Sequence, residues 1–285
     1  MMNITVKNCD TKYYPALKDM GYHGLDFSFG HYKDRDLLLT PEYARTVRDK
    51  KAAMDAAGLA LAQVHISYRP SAYLPADGGN YDDYEAYLLP VFRRQLELTR
   101  DLGCHVAVFH PYYELASEEN TRAGNMRLYE KLMPLLEEGQ IVLALENVYG
   151  PRCSHAWHSA AGELLYYTER FDSPFLGVCL DTGHAILREQ DPVQMLQKVA
   201  HRLAAVHLHS VLPGLDLHTI PYFTAGAEKI DWITFVSELK KTPYTGPFNM
   251  ELKVPAALSD EAKLLFYKTA YTVARDILKS ADSPA

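Results

Sequence analysis

The sequence predicts an α/β fold, a single closed (β/α)8 barrel formed by residues 1–285 as one domain. Two observations carry that expectation. Short apolar runs alternate with longer amphipathic stretches along the whole chain, and no linker, low-complexity segment or close repeat divides them. Six consecutive apolar runs also end on a side chain able to bind a metal: Leu61-Ala-Gln-Val-His65, Val106-Ala-Val-Phe-His110, Val142-Leu-Ala-Leu-Glu146, Leu176-Gly-Val-Cys-Leu-Asp181, Leu203-Ala-Ala-Val-His207 and Phe248-Asn-Met-Glu251. The steps between these termini are 45, 36, 35, 26 and 44 residues, against an even share of about 36 per barrel unit. Each terminus therefore belongs to a successive strand. A closed parallel barrel gathers its strand ends around one point, whereas a doubly wound open sheet would not bring six consecutive ends together.

The elements follow in order. Runs rich in Val, Ile, Leu and Phe predict strands at 3–7, 24–29, 59–66, 105–110, 140–146, 176–181, 203–209 and 247–252. Amphipathic stretches predict a helix after each: 12–20, 41–57, 82–102, 121–138, 159–171, 191–201, 231–241 and 259–280. Thr40-Pro41-Glu42 and Asp191-Pro192 place an oxygen-bearing N-cap before a proline whose fixed φ suits the first helical turn. Gly58 and Gly103 stand where the second and third helices should stop.

Composition narrows the function. At 48% hydrophobic and 23% charged the chain can bury a large core, and its net charge of −7 comes without a Lys/Arg cluster, which disfavours nucleic acid as a partner. Cys9, Cys104, Cys153 and Cys179 have no paired spacing and read as reduced thiols. No basic leader precedes an apolar stretch, and no run approaches the ~18 apolar residues needed to span a bilayer. A cytoplasmic protein with no membrane partner is expected.

The ligand types point to metal chemistry. Two or three carboxylates with an imidazole make a mixed oxygen and nitrogen site suited to Zn, Mn, Co or Fe. Such a metal polarises a carbonyl and acidifies the neighbouring carbon, and two glutamates flanking a sugar can exchange the proton. Alternation places His207 and His209 on one face of a strand, so either can reach the metal.

Four motifs, CLDTGHA at 179–185, LALEN at 143–147, VHLHS at 206–210 and ME at 250–251, resemble the xylose isomerase-like TIM-barrel superfamily along nearly the whole chain. That group includes sugar phosphate isomerases and epimerases, ketose 3-epimerases and endonuclease IV. The resemblance implies one divalent metal held by Glu146, Asp181, His207 and Glu251, and it favours His207 over His209. It implies a metal-dependent sugar or sugar-phosphate isomerase or epimerase, transferring a proton between Glu146 and Glu251 through a metal-bound enediolate. His184 would then meet a substrate hydroxyl. His65, His110, His184, Asp216 and His218 also match, in type and order, the extra ligands of endonuclease IV, so the alternative is a multi-zinc phosphodiesterase. Pro213 stands where ketose 3-epimerases carry an arginine six residues after the metal histidine, which argues against that subtype. Tyr68, Arg69, Tyr112, Tyr113, Tyr149, Arg152, Tyr222 and Phe223 are candidate sugar or phosphate contacts on loops, and a homo-oligomer is left open.

Overall fold

The computed structural model describes residues 2–7, 10–30, 35–66, 81–111, 117–149 and 160–282. In chain order the elements are β1 (Ile4–Lys7), α1 (Tyr14–Met20), β2 (Gly24–Ser28), α2 (Arg35–Leu38), α3 (Pro41–Ala56), β3 (Ala60–His65) and α4 (Tyr81–Asp101). Then come β4 (Val106–Phe109), α5 (Glu118–Gly139), β5 (Val142–Glu146), α6 (Ala161–Phe171), β6 (Leu176–Asp181), α7 (Thr182–Leu187) and α8 (Pro192–Val199). The last are β7 (Leu203–His207), β8 (Ser210–Leu212), β9 (Leu215–Thr219), α9 (Trp232–Lys241), β10 (Phe248–Met250) and α10 (Asp260–Ser280).

Eight strands pair in parallel in the order β10-β1-β2-β3-β4-β5-β6-β7. Just past β7, Leu208 bridges in parallel to Met250, and its N–H donates to the Asn249 carbonyl at 2.9 Å. This contact joins the two edge strands and closes the expected (β/α)8 barrel.

The local signals act as their chemistry requires. Thr40 Oγ1 accepts the Tyr43 N–H at 3.1 Å with Pro41 in the first turn of α3, and Asp191 accepts the Val193 N–H at 2.8 Å with Pro192 opening α8. Gly58 and Gly103 each take φ +70°, the left-handed conformation that ends a helix without a Cβ penalty.

Three elements depart from the expectation. The predicted strand 203–209 is continuous only to His207, Leu208 adds the single bridge to Met250, and β8 and β9 then pair as a separate antiparallel hairpin. A short helix, α7, starts directly at the end of β6, capped by the Asp181 side chain that accepts the His184 N–H at 2.7 Å. The short helix α2 lies between the predicted strand 24–29 and helix 41–57, where the sequence predicts no element.

Inside the barrel, side chains two residues before the strand ends form a layer of two halves. Val108, Ala144, Cys179 and Ala205 from β4 to β7 make a small apolar cluster, whereas Thr5, Asp26, Gln63 and Asn249 from β1, β2, β3 and β10 are hydrogen-bonded to one another. Residues of opposite parity, such as Leu143, Leu145, Val178, Leu180 and Val206, join the main core with helix residues including Leu164, Leu196 and Phe235. Cys104 and Cys179 are free and buried, and burial pushes their thiols up to about 11 and about 12, with the Cys179 sulfur within 4.8 Å of ligand atoms of Glu146 and His207. Cys9 and Cys153 lie outside the described residues. Among the described residues no helix is long and apolar enough to cross a membrane.

Candidate metal centre

The strand ends converge. Glu146 is the hub: its Oε2 lies 3.2 Å from His65 Nε2, 3.1 Å from His110 Nε2 and 3.4 Å from His207 Nδ1, and its Oε1 lies 3.2 Å from His184 Nδ1. His207 Nδ1 faces all three remaining carboxylates of the expected set, at 3.0 Å from Glu251 Oε2, 3.4 Å from Glu146 Oε2 and 4.0 Å from Asp181 Oδ2. His209 takes a different position. Its Nε2 meets Asp181 Oδ2 at 3.0 Å and its ring stacks on His218 with centroids 3.8 Å apart.

Two motif residues explain how the loops hold this arrangement. Asn147, next to Glu146, donates Nδ2–H to the Asp181 carbonyl at 2.8 Å and accepts the Asp181 N–H at 2.7 Å, clipping the end of β5 to the end of β6. Thr182 donates to the His209 carbonyl at 2.9 Å and accepts the His209 N–H at 3.1 Å. Gly183 is required by the approach of His209, because a Cβ there would stand 2.0 Å from the ring Cε1.

Backbone carbonyls orient four of the rings. Nδ1–H donates to the carbonyl of Ile66 from His65 at 2.9 Å, of Asn147 from His184 at 3.0 Å, of Ser210 from His209 at 3.3 Å, and of Glu251 from His218 at 3.1 Å. His65, His209 and His218 therefore turn Nε2 to a carboxylate of the centre, as metal-competent histidines do when their other nitrogen is anchored, whereas His184 keeps Nδ1 beside Glu146 and Asp181 and turns Nε2 to Asp216. His218 Nε2 reaches Asp216 Oδ1 at 3.0 Å, and His184 Nε2 lies 3.7 Å from the same oxygen. Lys253 holds the other oxygen of Asp216 at 3.0 Å.

The donor set suits a cation. His207 Nδ1, Glu251 Oε2 and Asp216 Oδ1 are buried and make no hydrogen bond, although each sits among other ligand-type atoms. Buried polar atoms left this way cost about 1–3 kcal/mol each, and a shared cation removes that cost. Ligand atoms of His65, His110 and Glu146, of His65, His207 and Glu251, and of His184, Asp216 and His218 lie within 4.8 Å of one another in each trio.

The charges are arranged accordingly. Burial alone would raise the Glu146 carboxyl, but the facing His207 and His110 rings hold it well below its ordinary range. Burial likewise opposes ionisation of Glu251, and His207 and Lys7 outweigh it. His207 is raised well above an ordinary histidine because Cys179, Glu251 and Glu146 around it together outweigh burial, and His184 is raised to about 9, chiefly by Asp181 and Glu146. His110 and His218 are lowered, burial being the main cause.

The ten His, Asp and Glu candidates lie together at one centre: Glu146, Asp181, His207 and Glu251, with His65, His110, His184, His209, Asp216 and His218 around them. The sequence reading passed over Lys7, whose ammonium pairs with Glu251 Oε1, and Asp26 and Gln63, which meet the far side of His207 at 3.5 and 2.9 Å. Lys7 ends its strand in the same way as the others, so the signal was present but basic rather than metal-binding. Tyr149 lies against the Arg188 guanidinium, and Tyr222 and Phe223 are exposed beyond the hairpin. Tyr68, Arg69, Tyr112, Tyr113 and Arg152 lie outside the described residues.

Fold and centre together define a (β/α)8 barrel with a histidine and carboxylate cluster at the C-terminal ends of its strands. The model of the xylose isomerase-like TIM barrel family matches residues 15–269, and the chain belongs to that family. It is 30% identical over 105 residues to the uncharacterized protein y4fM of Sinorhizobium fredii (strain NBRC 101917 / NGR234), a match covering 37% of this chain and 32% of that protein. The chain thus aligns with about a third of the length of that curated relative. The fold is similar to a D-psicose 3-epimerase determined with D-fructose, with a TM-score of 0.75, 15% identity and coverage of 97% of this chain and 99% of that one. It is also similar to the 3-keto-D-glucoside 4-epimerase of E. coli, with a TM-score of 0.73, 17% identity and coverage of 97% and 100%.

Proposed function

We propose that the chain, residues 1–285 as one domain, is a metal-dependent isomerase or epimerase of a sugar or sugar phosphate. The observation that carries this reading is the meeting of Glu146 and Glu251 at His207 Nδ1, at 3.4 and 3.0 Å, from the ends of β5 and β10, which are not neighbours in the barrel order. Family membership and the fold shared with sugar epimerases support it. The one-domain extent is supported by β1, which lies before the matched residues yet pairs with both β2 and β10. A cytoplasmic location completes the reading.

Glu146, Asp181, His207 and Glu251 would hold one divalent cation, Zn, Mn, Co or Fe, and the three carboxylates suit such an ion. When bound, that ion supplies positive charge that polarises a sugar carbonyl and acidifies the adjacent C–H. Glu146 and Glu251 both start ionised, so either can take a proton from one face of the sugar while the other returns one, through an enediolate. Lys7 occupies Glu251 Oε1 and leaves Oε2 turned toward the centre. His184 and His110, at the rim, orient substrate hydroxyls.

Incubation with its sugar in heavy water tests the reading. Deuterium should enter the carbon next to the carbonyl, and Glu146→Gln and Glu251→Gln should each slow exchange ~10²-fold or more, the usual scale for a positioned acid or base. Metal content is measured in both variants, because metal loss would mimic loss of the base. A substrate turned over without solvent deuterium overturns the proton-transfer mechanism and favours a hydride shift.

A second reading rests on one observation: Asp216 Oδ1, buried and without a hydrogen bond, faces His218 and His184 as a separate trio. Several cations held this way would suit phosphodiester hydrolysis.

A further inference from the structure

Thr5, Asp26, Gln63 and Asn249 are at most 2% exposed and lie directly beneath the centre. Thr5 Oγ1–H donates to Asn249 Oδ1 at 2.8 Å, and Asn249 Nδ2–H donates to Asp26 Oδ2 at 3.0 Å. Gln63 Nε2–H donates to the same Asp26 oxygen at 3.2 Å. Small apolar residues fill the opposite half of this layer, so packing alone does not call for four buried polar side chains.

The network ends on His207. Four neighbouring rings rest Nδ1 on a backbone carbonyl, whereas His207 Nε2 meets side chains: Gln63 Nε2 at 2.9 Å and Asp26 Oδ2 at 3.5 Å. Nδ1 can offer a lone pair to a cation only when the proton left on the ring sits on Nε2, and that N–H needs an acceptor. Gln63 does not provide one. Its amide nitrogen is fixed toward Asp26, so the end facing the ring is a donor. The carboxylate that faces Nε2 is Asp26, with Oδ2 3.5 Å away at ion-pair distance.

We propose that Asp26 and Gln63 are positioning residues acting in opposite directions on His207. Asp26 accepts Nε2–H and opens Nδ1 toward the three carboxylates and their cation, whereas Gln63, a donor to the same nitrogen, favours the ring with its proton on Nδ1. This inference rests on the reading of His207 as a ligand. A carboxylate behind a ligating imidazole fixes its tautomer and raises its basicity, and losing such a partner weakens metal binding ~10–100-fold.

The full chain and three variants are titrated with Zn²⁺ and Mn²⁺ in competition with a chelator. Asp26→Asn should bind each cation ~10–100-fold more weakly. Gln63→Met, which removes the competing donor and leaves Asp26 to the ring, should bind about twofold or more tightly. Thr5→Val disturbs the same packing without touching the carboxylate, and should stay within about twofold of the unaltered chain. Unaltered affinity in Asp26→Asn, or an affinity in Gln63→Met that is unchanged or weaker, overturns the proposal. Should Asp26→Asn not fold, the direction of the Gln63→Met change decides.

If the unaltered chain binds neither cation, the ligand reading of His207 fails, and ring ¹⁵N resonances of the metal-free chain, recorded at a pH high enough for the His207 ring to be neutral, decide the tautomer claim. A change at His207 Nε2–H in Asp26→Asn that is absent from Thr5→Val upholds it. No change, or the same change in both, overturns it.

Discussion

Replacing Asp181 by Asn and by Ala separates two tasks that one carboxylate performs. Its Oδ1 accepts the His184 N–H at 2.7 Å and caps α7, while Oδ2 faces His209 Nε2 at 3.0 Å, His184 Nδ1 at 3.5 Å and His207 Nδ1 at 4.0 Å. Asp181→Asn keeps an oxygen for the cap but puts a neutral amide among the rings. Metal affinity should fall at least ~10-fold, which is about 1.4 kcal/mol, with folding stability changed by less than about 1 kcal/mol. Asp181→Ala also removes the cap, at about 1 kcal/mol, and leaves His209 Nε2 without that partner in a buried site, at about 1–3 kcal/mol more. For a chain of this size those losses lower Tm by roughly 3–7 °C. Chelator competition gives the affinity, and thermal unfolding with chelator present gives the stability without a metal contribution. Wild-type metal affinity in Asp181→Asn would remove Asp181 from the ligand set, and an unshifted melt in Asp181→Ala would show that its cap and its contact with His209 contribute nothing.

Further outcomes follow from the same centre. His184, raised to about 9 in the folded chain from an ordinary 6.5, takes up a proton on folding; its contribution is complete below pH 6.5 and disappears as pH rises through about 9. The metal-free protein should therefore lose up to about 3 kcal/mol across that window from His184 alone, with His207 adding in the same direction, measured by urea unfolding at several pH values. His110 and His218, both lowered, change protonation only below 6.5, so stability that is flat or rises from pH 6.5 to 9 refutes this account. Elemental analysis separates the two functional readings. A sugar site should keep about one equivalent of metal after dialysis and lose little on His110→Ala, whereas about three equivalents, with a loss in that variant, would favour the multi-metal hydrolase.

The sequence by itself determined the barrel and the chemistry at its mouth. Strand-end residues are legible because each is a polar side chain closing an apolar run, and their spacing repeats with the βα unit, as from His110 to Glu146 to Asp181. The caps at Thr40 and Asp191 are likewise local, resting on contacts two or three residues away. Tertiary structure decided what depends on distant strands. Asp26, Gln63 and Asn249 read in sequence as unremarkable polar residues within strands, and only barrel closure brings β10 beside β1 so that all three face the interior behind His207. The distinction between His207 and His209 has the same origin. Alternation puts both on one face, but the chain leaves the sheet after Leu208 and Gly183 admits the His209 ring beside Asp181, so one imidazole turns Nδ1 to three carboxylates and the other supports a single one. Periodicity in a sequence records which face a residue occupies; which partners meet it there is set by packing between segments that the sequence keeps far apart.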